Sequence, residues 1–97
     1  MKPCKRIEIV IEQRQASALL EALDQLGVPG YTVIPSARGS GDRGLRSGDE
    51  LTGVMTNSVI VIACPEADVA AILEHVGPAI RRSGGICLVS DATWLTH

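Results

Sequence analysis

The chain has 97 residues, which is the length of one domain. Hydrophobic residues make up 45% and charged residues 21%, a balance typical of a globular protein rather than a disordered one. Nine basic and eleven acidic residues give a formal net charge of −2, so there is no basic excess for binding nucleic acid. The sequence contains no apolar run long enough to span a membrane and no signal peptide. This predicts a cytoplasmic protein that is not inserted in a membrane.

The first part of the chain predicts a strand, a helix and a second strand. Residues 5–12 alternate with period two, with isoleucines on one face. Leucine and alanine then recur at three- and four-residue steps over residues 16–26, which predicts an amphipathic helix that ends at Gly27. Residues 31–34 favour a strand, and Pro35 places the end of that strand at a sheet edge or a bulge.

The second part repeats this order after a long irregular segment. Residues 36–53 hold five of the ten glycines and show no periodicity, which is typical of a functional or disordered loop. Residues 59–64 form a continuous apolar run, as in a central strand. A second amphipathic helix follows, in which the pair Gly77-Pro78 is expected to cause a break or a kink. Residues 86–89 form the fourth predicted strand.

The three cysteines show neither a disulfide framework nor a metal-binding spacing. Cys64 and Cys87 lie in apolar strands and are expected to be small core residues. Cys4 lies near the start of the chain and is expected to be exposed.

The order of the elements predicts a single α+β domain over residues 1–97, with a ferredoxin-like βαββαβ sandwich. In this fold both helices cover one face of a four-stranded antiparallel sheet, so the other face lacks a cover. That uncovered face includes Val10, Ile34 and one side of the strand at residues 59–64. Leaving an apolar face in water costs about 25 cal/mol per Å². We therefore expect a symmetric oligomer that buries this face.

Two segments rich in glycine and arginine are candidate anion sites. The run from Gly39 to Gly44 fits GxGxxG, but it is not followed by the helix that dinucleotide-binding folds require. Glycines let backbone N–H groups approach an anion, and Arg43 and Arg46 add forked donors for phosphate. The alternative is a solvated loop whose arginines pair with nearby acids. The second segment, residues 83–85, is a tight turn that follows two arginines.

The order of these motifs resembles that of the PII signalling proteins. The motifs that carry the resemblance are Gly30-Tyr31-Thr32-Val33, Gly39-Ser40-Gly41 and the run from Val59 to Pro65. The GxGxRxxRS spacing that begins at Gly39 is most similar to PII-like proteins tied to inorganic-carbon uptake, including the carboxysome-associated form. The resemblance implies a homotrimer with a long T-loop between strands 2 and 3, at residues 36–53, and nucleotide sites in the intersubunit clefts.

The resemblance also implies the residues of the nucleotide site. They are Thr32, Gly39, Gly41, Arg43, Arg46, Ala63, Gly84 and Gly85. Thr32 and the strand backbone near Ala63 would receive the adenine, while the loop glycines and arginines would hold the phosphates. Gly84-Gly85 would close the site from the adjacent subunit.

The departures from the conventional PII pattern bear on the ligand. Asp42-Arg43 stands where those proteins carry the glutamine that helps to hold magnesium and 2-oxoglutarate, which favours ADP or AMP, with ATP a further candidate and no metal expected. Bicarbonate is a candidate second effector. A bicarbonate transporter or another carbon-uptake protein is the expected partner, contacted through the T-loop.

These features indicate a non-enzymatic sensor. The alternative is another small-ligand module with the same element order, either an ACT-like amino-acid sensor or a copper-tolerance-type trimer. A small ferredoxin-like enzyme is disfavoured, because the sequence shows no acid–base or nucleophile constellation.

Overall fold

The computed structural model describes residues 1–39 and 56–95. The elements in chain order are β1 (Lys2–Glu12), α1 (Gln13–Leu26), β2 (Thr32–Arg38), β3 (Thr56–Cys64), a 3₁₀ turn (Glu66–Asp68), α2 (Val69–Ser83) and β4 (Ile86–Trp94). The strands form one antiparallel sheet in the order β2-β3-β1-β4. This arrangement confirms the predicted α+β, ferredoxin-like fold.

The core lies between the two helices and one face of the sheet. Its fully buried aliphatic residues on the central strands are Ile7, Ile9, Ile11, Ile60 and Ile62. The helices contribute Ala16, Leu19, Leu23, Ile72, Val76 and Ala79. Each large aliphatic side chain buried in this way stabilises the fold by about 1.5–3 kcal/mol before entropy is counted. The alternation of β1 and the two helical stripes therefore place the core where the sequence predicts it.

Both helices end at a glycine in the left-handed conformation. Gly27 has a φ of 84°, and it donates to the carbonyl of Asp24 while Val28 donates to that of Leu23, which is the Schellman arrangement. Gly84 has a φ of 80° and donates to the carbonyl of Ile80 at 2.7 Å. Neither of these helices is long and apolar enough to span a bilayer, nor is any other within residues 1–39 and 56–95.

Gly77-Pro78 was predicted to cause a break or a kink, and the break does not occur, because α2 continues through both residues to Ser83. Pro78 removes the hydrogen bond to the carbonyl of Glu74, but both residues are exposed, so water can solvate that carbonyl. The buried residues Val76 and Ala79 flank the proline and hold this part of α2 against the sheet. Tertiary packing outweighs the local cost of the proline.

All four strands are longer than the sequence predicts, since β1 begins at Lys2 instead of residue 5 and β3 begins at Thr56 instead of residue 59. β2 continues past Pro35 to Arg38, so the end of this strand pairs with β3 instead of belonging to the loop. β2 is an edge strand and carries a bulge next to Pro35, as the proline indicated. β4 continues from the predicted residues 86–89 to Trp94, where it pairs with the beginning of β1.

This extension of β1 and β4 explains why the prediction of an exposed Cys4 is wrong. Cys4 is 6% exposed and pairs across the strands with Ala92, and the ion pair between Lys5 and Asp91 lies beside it. Cys64 is fully buried, as predicted, whereas Cys87 is half-buried. Burial raises the pKa of the Cys64 thiol, with smaller contributions from nearby Asp68 and Cys4.

Candidate functional site

Neither the helices nor any other described element covers the second face of the sheet, as the sequence predicts. Residues on this face form rows that run across the four strands. One row consists of Ile34, Val59, Val10 and Ile86. The next row consists of Thr32, Val61, Glu8 and Leu88. Ile34, Ile86 and Leu88 are 51%, 53% and 56% exposed. These rows form a mainly aliphatic surface that also contains Thr32 and Glu8, and we call it the open face.

The open face has a charged pair at its centre. The guanidinium of Arg6 lies 2.9 Å from the carboxylate of Glu8, and both side chains are partly exposed. Their neighbours in the adjacent strands are mainly aliphatic. A surface that covers the open face must therefore keep this ion pair together or give each charge an equivalent partner, because an unpaired desolvated charge is costly.

Two predicted site residues lie on the open face. Thr32 pairs with Val61, and Ala63 lies two positions further along β3 on the same face. Diagonal neighbours of this kind are roughly 7–8 Å apart. The structure therefore brings together the two positions that were predicted to receive the adenine.

The backbone of β3 is partly unpaired beside these residues. The pairing of β2 with β3 ends at Thr32 and Val61, whereas β3 continues to Cys64. Residues 62–64 thus have no partner in β2, and no other described strand pairs with them on that side, so the backbone groups that point there can hydrogen-bond a ligand. The start of β2 is held by the Tyr31 hydroxyl, which donates to the carboxylate of Asp24 at 3.0 Å.

The three predicted glycines that the structure describes lie at the other end of the sheet. Gly39 follows the last residue of β2, and Gly84-Gly85 precede β4. Gly85 packs against the backbone of Val10, which is in the same cross-strand row as Ile34. We call this the loop end of the sheet. Gly39 is seven positions beyond Thr32, which is roughly 20 Å in an extended strand.

Gly84 and Gly85 are explained by the fold itself. The positive φ of Gly84 ends α2. A Cβ at Gly85 would lie 2.2 Å from the carbonyl oxygen of Val10, so only glycine fits there. At Gly39, by contrast, an added Cβ would meet no heavy atom within 4 Å among the described residues. Packing within the described part of the chain therefore leaves the surface over Gly39 open.

One polar atom at the loop end lacks a partner. The hydroxyl oxygen of Ser83 is buried and makes no hydrogen bond within the described part of the chain. Ser83 precedes Gly84 and follows the exposed Arg81 and Arg82. An unpaired buried hydroxyl costs about 1–3 kcal/mol.

Three predicted site residues, Gly41, Arg43 and Arg46, lie outside the described residues, so their roles stay predictions. Two residues that the sequence did not single out do take part in the geometry of the loop end. Ser36 has a φ of 61°, and its N–H donates to the side-chain oxygen of Gln13 at 2.7 Å. Pro35 was the only sequence signal near this feature. No cluster of metal-binding side chains occurs in the parts of the chain that the structure covers.

Comparison with known proteins identifies the class. The family model of nitrogen regulatory protein P-II matches residues 4–96, and the chain therefore belongs to that family. This confirms the resemblance to PII proteins and favours it over the ACT-like and copper-tolerance alternatives. A search of curated proteins finds no match.

The similar solved structures include CPII, a nitrogen regulatory PII-like protein from Thiomonas intermedia, bound to ADP, AMP and bicarbonate. It is 27% identical, with a TM-score of 0.80, and the match covers 98% of this chain and 96% of CPII. The apo form of CPII is 27% identical with a TM-score of 0.76, covering 95% of this chain and 91% of that one. A PII-like signalling candidate from Thermus thermophilus is 30% identical, with a TM-score of 0.72. The match covers 94% of this chain and 88% of that one.

Proposed function

We propose that the protein is a non-enzymatic PII-like sensor that binds ADP or AMP in clefts between the subunits of a homotrimer. The observation that carries the proposal is the separation of the two groups of site residues. Thr32 and Ala63 lie on the open face, roughly 20 Å or more from Gly39 in the same chain. A nucleoside diphosphate is too short to contact both groups in one chain, so a ligand that uses both must lie between two copies.

The exposure of the open face in a single chain favours the proposed trimer. An aliphatic surface with side chains that are half exposed is costly in water, and a closed assembly of identical chains removes that cost at every copy. The central pair of Arg6 and Glu8 restricts the geometry, because the assembly must retain its ion pair or supply equivalent partners.

The adenine end of the proposed site combines an apolar surface with backbone hydrogen-bonding groups. Val61 and Ala63 provide aliphatic contact for a flat base. The unpaired backbone of residues 62–64 provides donors and acceptors to the edge of the base. Thr32 adds a hydroxyl on the neighbouring strand.

The phosphate end of the proposed site lies at the loop end of a neighbouring chain. The open surface over Gly39 lets a phosphate approach the backbone closely. Gly84-Gly85 lie at the same end, so they come from the subunit adjacent to the one that supplies Thr32. Arg43 and Arg46 are proposed to donate forked hydrogen bonds to the same phosphates.

The proposed output is the conformation of the T-loop, which would report the bound nucleotide to a partner in the cytoplasm. A phosphate that Arg43 and Arg46 neutralise favours one conformational population of this loop over another. We propose bicarbonate as a second effector and a bicarbonate transporter or another carbon-uptake protein as the partner. Support comes from the loop spacing and from CPII, whose structure contains ADP, AMP and bicarbonate.

The substitution Gly39→Ala tests the site with little risk to the fold. The added methyl group meets open space in the described chain, but it blocks the approach of a phosphate to the backbone. Loss of a hydrogen bond to a charged group corresponds to an affinity loss of about tenfold or more. We therefore expect ADP and AMP to bind at least about tenfold more weakly, as measured by calorimetry.

The matched control is Gly77→Ala, the same substitution on α2, where the added Cβ makes only ordinary contact with Arg81. This variant should bind ADP as the wild type does. Equal affinity of Gly39→Ala and wild type would remove Gly39 from the site. Lack of adenylate binding by the wild-type protein would contradict the proposed function as a whole.

A further inference from the structure

The end of β2 contains a bulge and a strained residue. The step from Ile34 to Ala37 spans three positions of β2 but only two of β3, from Val59 to Asn57, so β2 carries one extra residue. Ser36 lies within this bulge at a φ of 61°, and it is the only non-glycine residue with positive φ in the described parts of the chain. This conformation is disfavoured by a β-carbon, so surrounding contacts must stabilise it.

The contact that stabilises the bulge comes from the beginning of α1. The side-chain oxygen of Gln13 accepts a hydrogen bond of 2.7 Å from the N–H of Ser36. Gln13 directly follows Glu12, which pairs with Asn57, and Asn57 also pairs with Ala37 at the end of the bulge. The junction of β1 and α1 is thus placed by the sheet register within reach of the bulge.

The extra residue changes the side of the sheet on which the last residues of β2 lie. Ile34 is on the open face, and Arg38 would be on the same face in a regular strand, because the two are four positions apart. With the bulge, Arg38 pairs with Thr56, which shares the helix-covered side with the buried Ser58. The bulge therefore determines the side to which Arg38 points and the direction in which Gly39 leaves the sheet.

We propose that Gln13 is a positioning residue for the nucleotide site, because its side chain holds the β2 bulge in the register that presents Gly39 to the phosphates. The inference rests on the proposed function and adds a residue of α1 that lies outside the predicted site. Without the acceptor from Gln13, the strained Ser36 loses its stabilising partner, and β2 can relax towards a regular strand in which Gly39 is displaced.

The substitution Gln13→Ala tests this role by two measurements. The first is hydrogen exchange of the Ser36 amide in the nucleotide-free protein, which should become faster when its acceptor is removed. The second is the affinity for ADP, which should fall by about threefold to tenfold, as expected for one hydrogen bond. Gln25→Ala, at an exposed position near the other end of α1, is the matched control and should change neither quantity.

A rescue experiment separates positioning from a general loss of stability. Ser36→Gly removes the backbone strain, since glycine adopts a positive φ readily. Adding Gln13→Ala to Ser36→Gly should therefore weaken ADP binding by a smaller factor than Gln13→Ala does in the wild-type background. A loss that is the same in both backgrounds would overturn the proposed coupling.

The possible failures are distinguishable. If wild-type protein binds ADP and Gln13→Ala binds it equally well, the positioning role is wrong and the proposed function stands. If the wild-type protein binds no adenine nucleotide, the proposed function fails and the positioning role fails with it. If Ser36 exchange is the same in Gln13→Ala and wild type, the hydrogen bond does not hold the bulge and the inference is overturned.

Discussion

Replacing Gly85 by alanine is expected to reduce the free energy of unfolding by about 3 kcal/mol. The new Cβ would lie 2.2 Å from the backbone oxygen of Val10, with Ile80 and Ile11 also in close contact. Val10 belongs to a central strand, so its backbone cannot move without disturbing the pairing with both neighbouring strands. Overpacking usually costs about 1–3 kcal/mol, and an immovable backbone places this substitution at the upper end.

Urea denaturation followed by circular dichroism measures this effect. Gly77→Ala is the control, since its Cβ would lie 3.5 Å from the guanidinium of Arg81 and the substitution improves helix propensity. The control should unfold at an equal or higher urea concentration than the wild type. A Gly85→Ala variant with wild-type stability and impaired ADP binding would show that this glycine serves the ligand and not the packing of β4.

The substitution Leu88→Lys is expected to dissociate the proposed trimer. Leu88 is 56% exposed on the open face and lies directly across from Glu8. A lysine there can pair with Glu8 in the single chain, so the fold should persist. Covering the open face would, however, desolvate this new charge in every copy, at an effective cost of several kcal/mol per ion.

Sedimentation velocity should therefore show a folded monomer for Leu88→Lys and a trimer for the wild type. The monomer should also lose ADP binding, because the two ends of the proposed site come from different chains. Val89→Lys is the matched control, since Val89 is the next residue of β4, is 42% exposed and lies on the opposite face. A Leu88→Lys trimer that retains ADP affinity would contradict the role of the open face.

The order of the elements and the position of the core could be predicted, because they follow from hydrophobic patterns within single elements. The alternation in β1 and the stripes of both helices each specify a buried face without reference to other elements. The continuation of α2 through Pro78 could not be predicted, since it depends on the packing of Val76 and Ala79 against the sheet. The burial of Cys4 likewise depends on its distant pairing with Ala92.

The candidate site was only partly accessible from the sequence. The family resemblance indicated Thr32 and Ala63, and the structure places them side by side on one face. The sequence could not show that Gly85 is required by its contact with Val10, because that contact joins residues 75 positions apart. Nor could it indicate Gln13, whose role follows from the register of three strands and not from any local motif.

The extra residue of β2 also affects how functional assignments are transferred between relatives. A homologous strand without this bulge would reach its first loop glycine one residue sooner when counted from the equivalent of Thr32. An alignment without a gap in β2 would then be out of register by one residue through the loop, so the loop arginines would be matched to the wrong residues of the relative. Aligning the loop from Gly39, with a one-residue gap at Ser36, avoids that error.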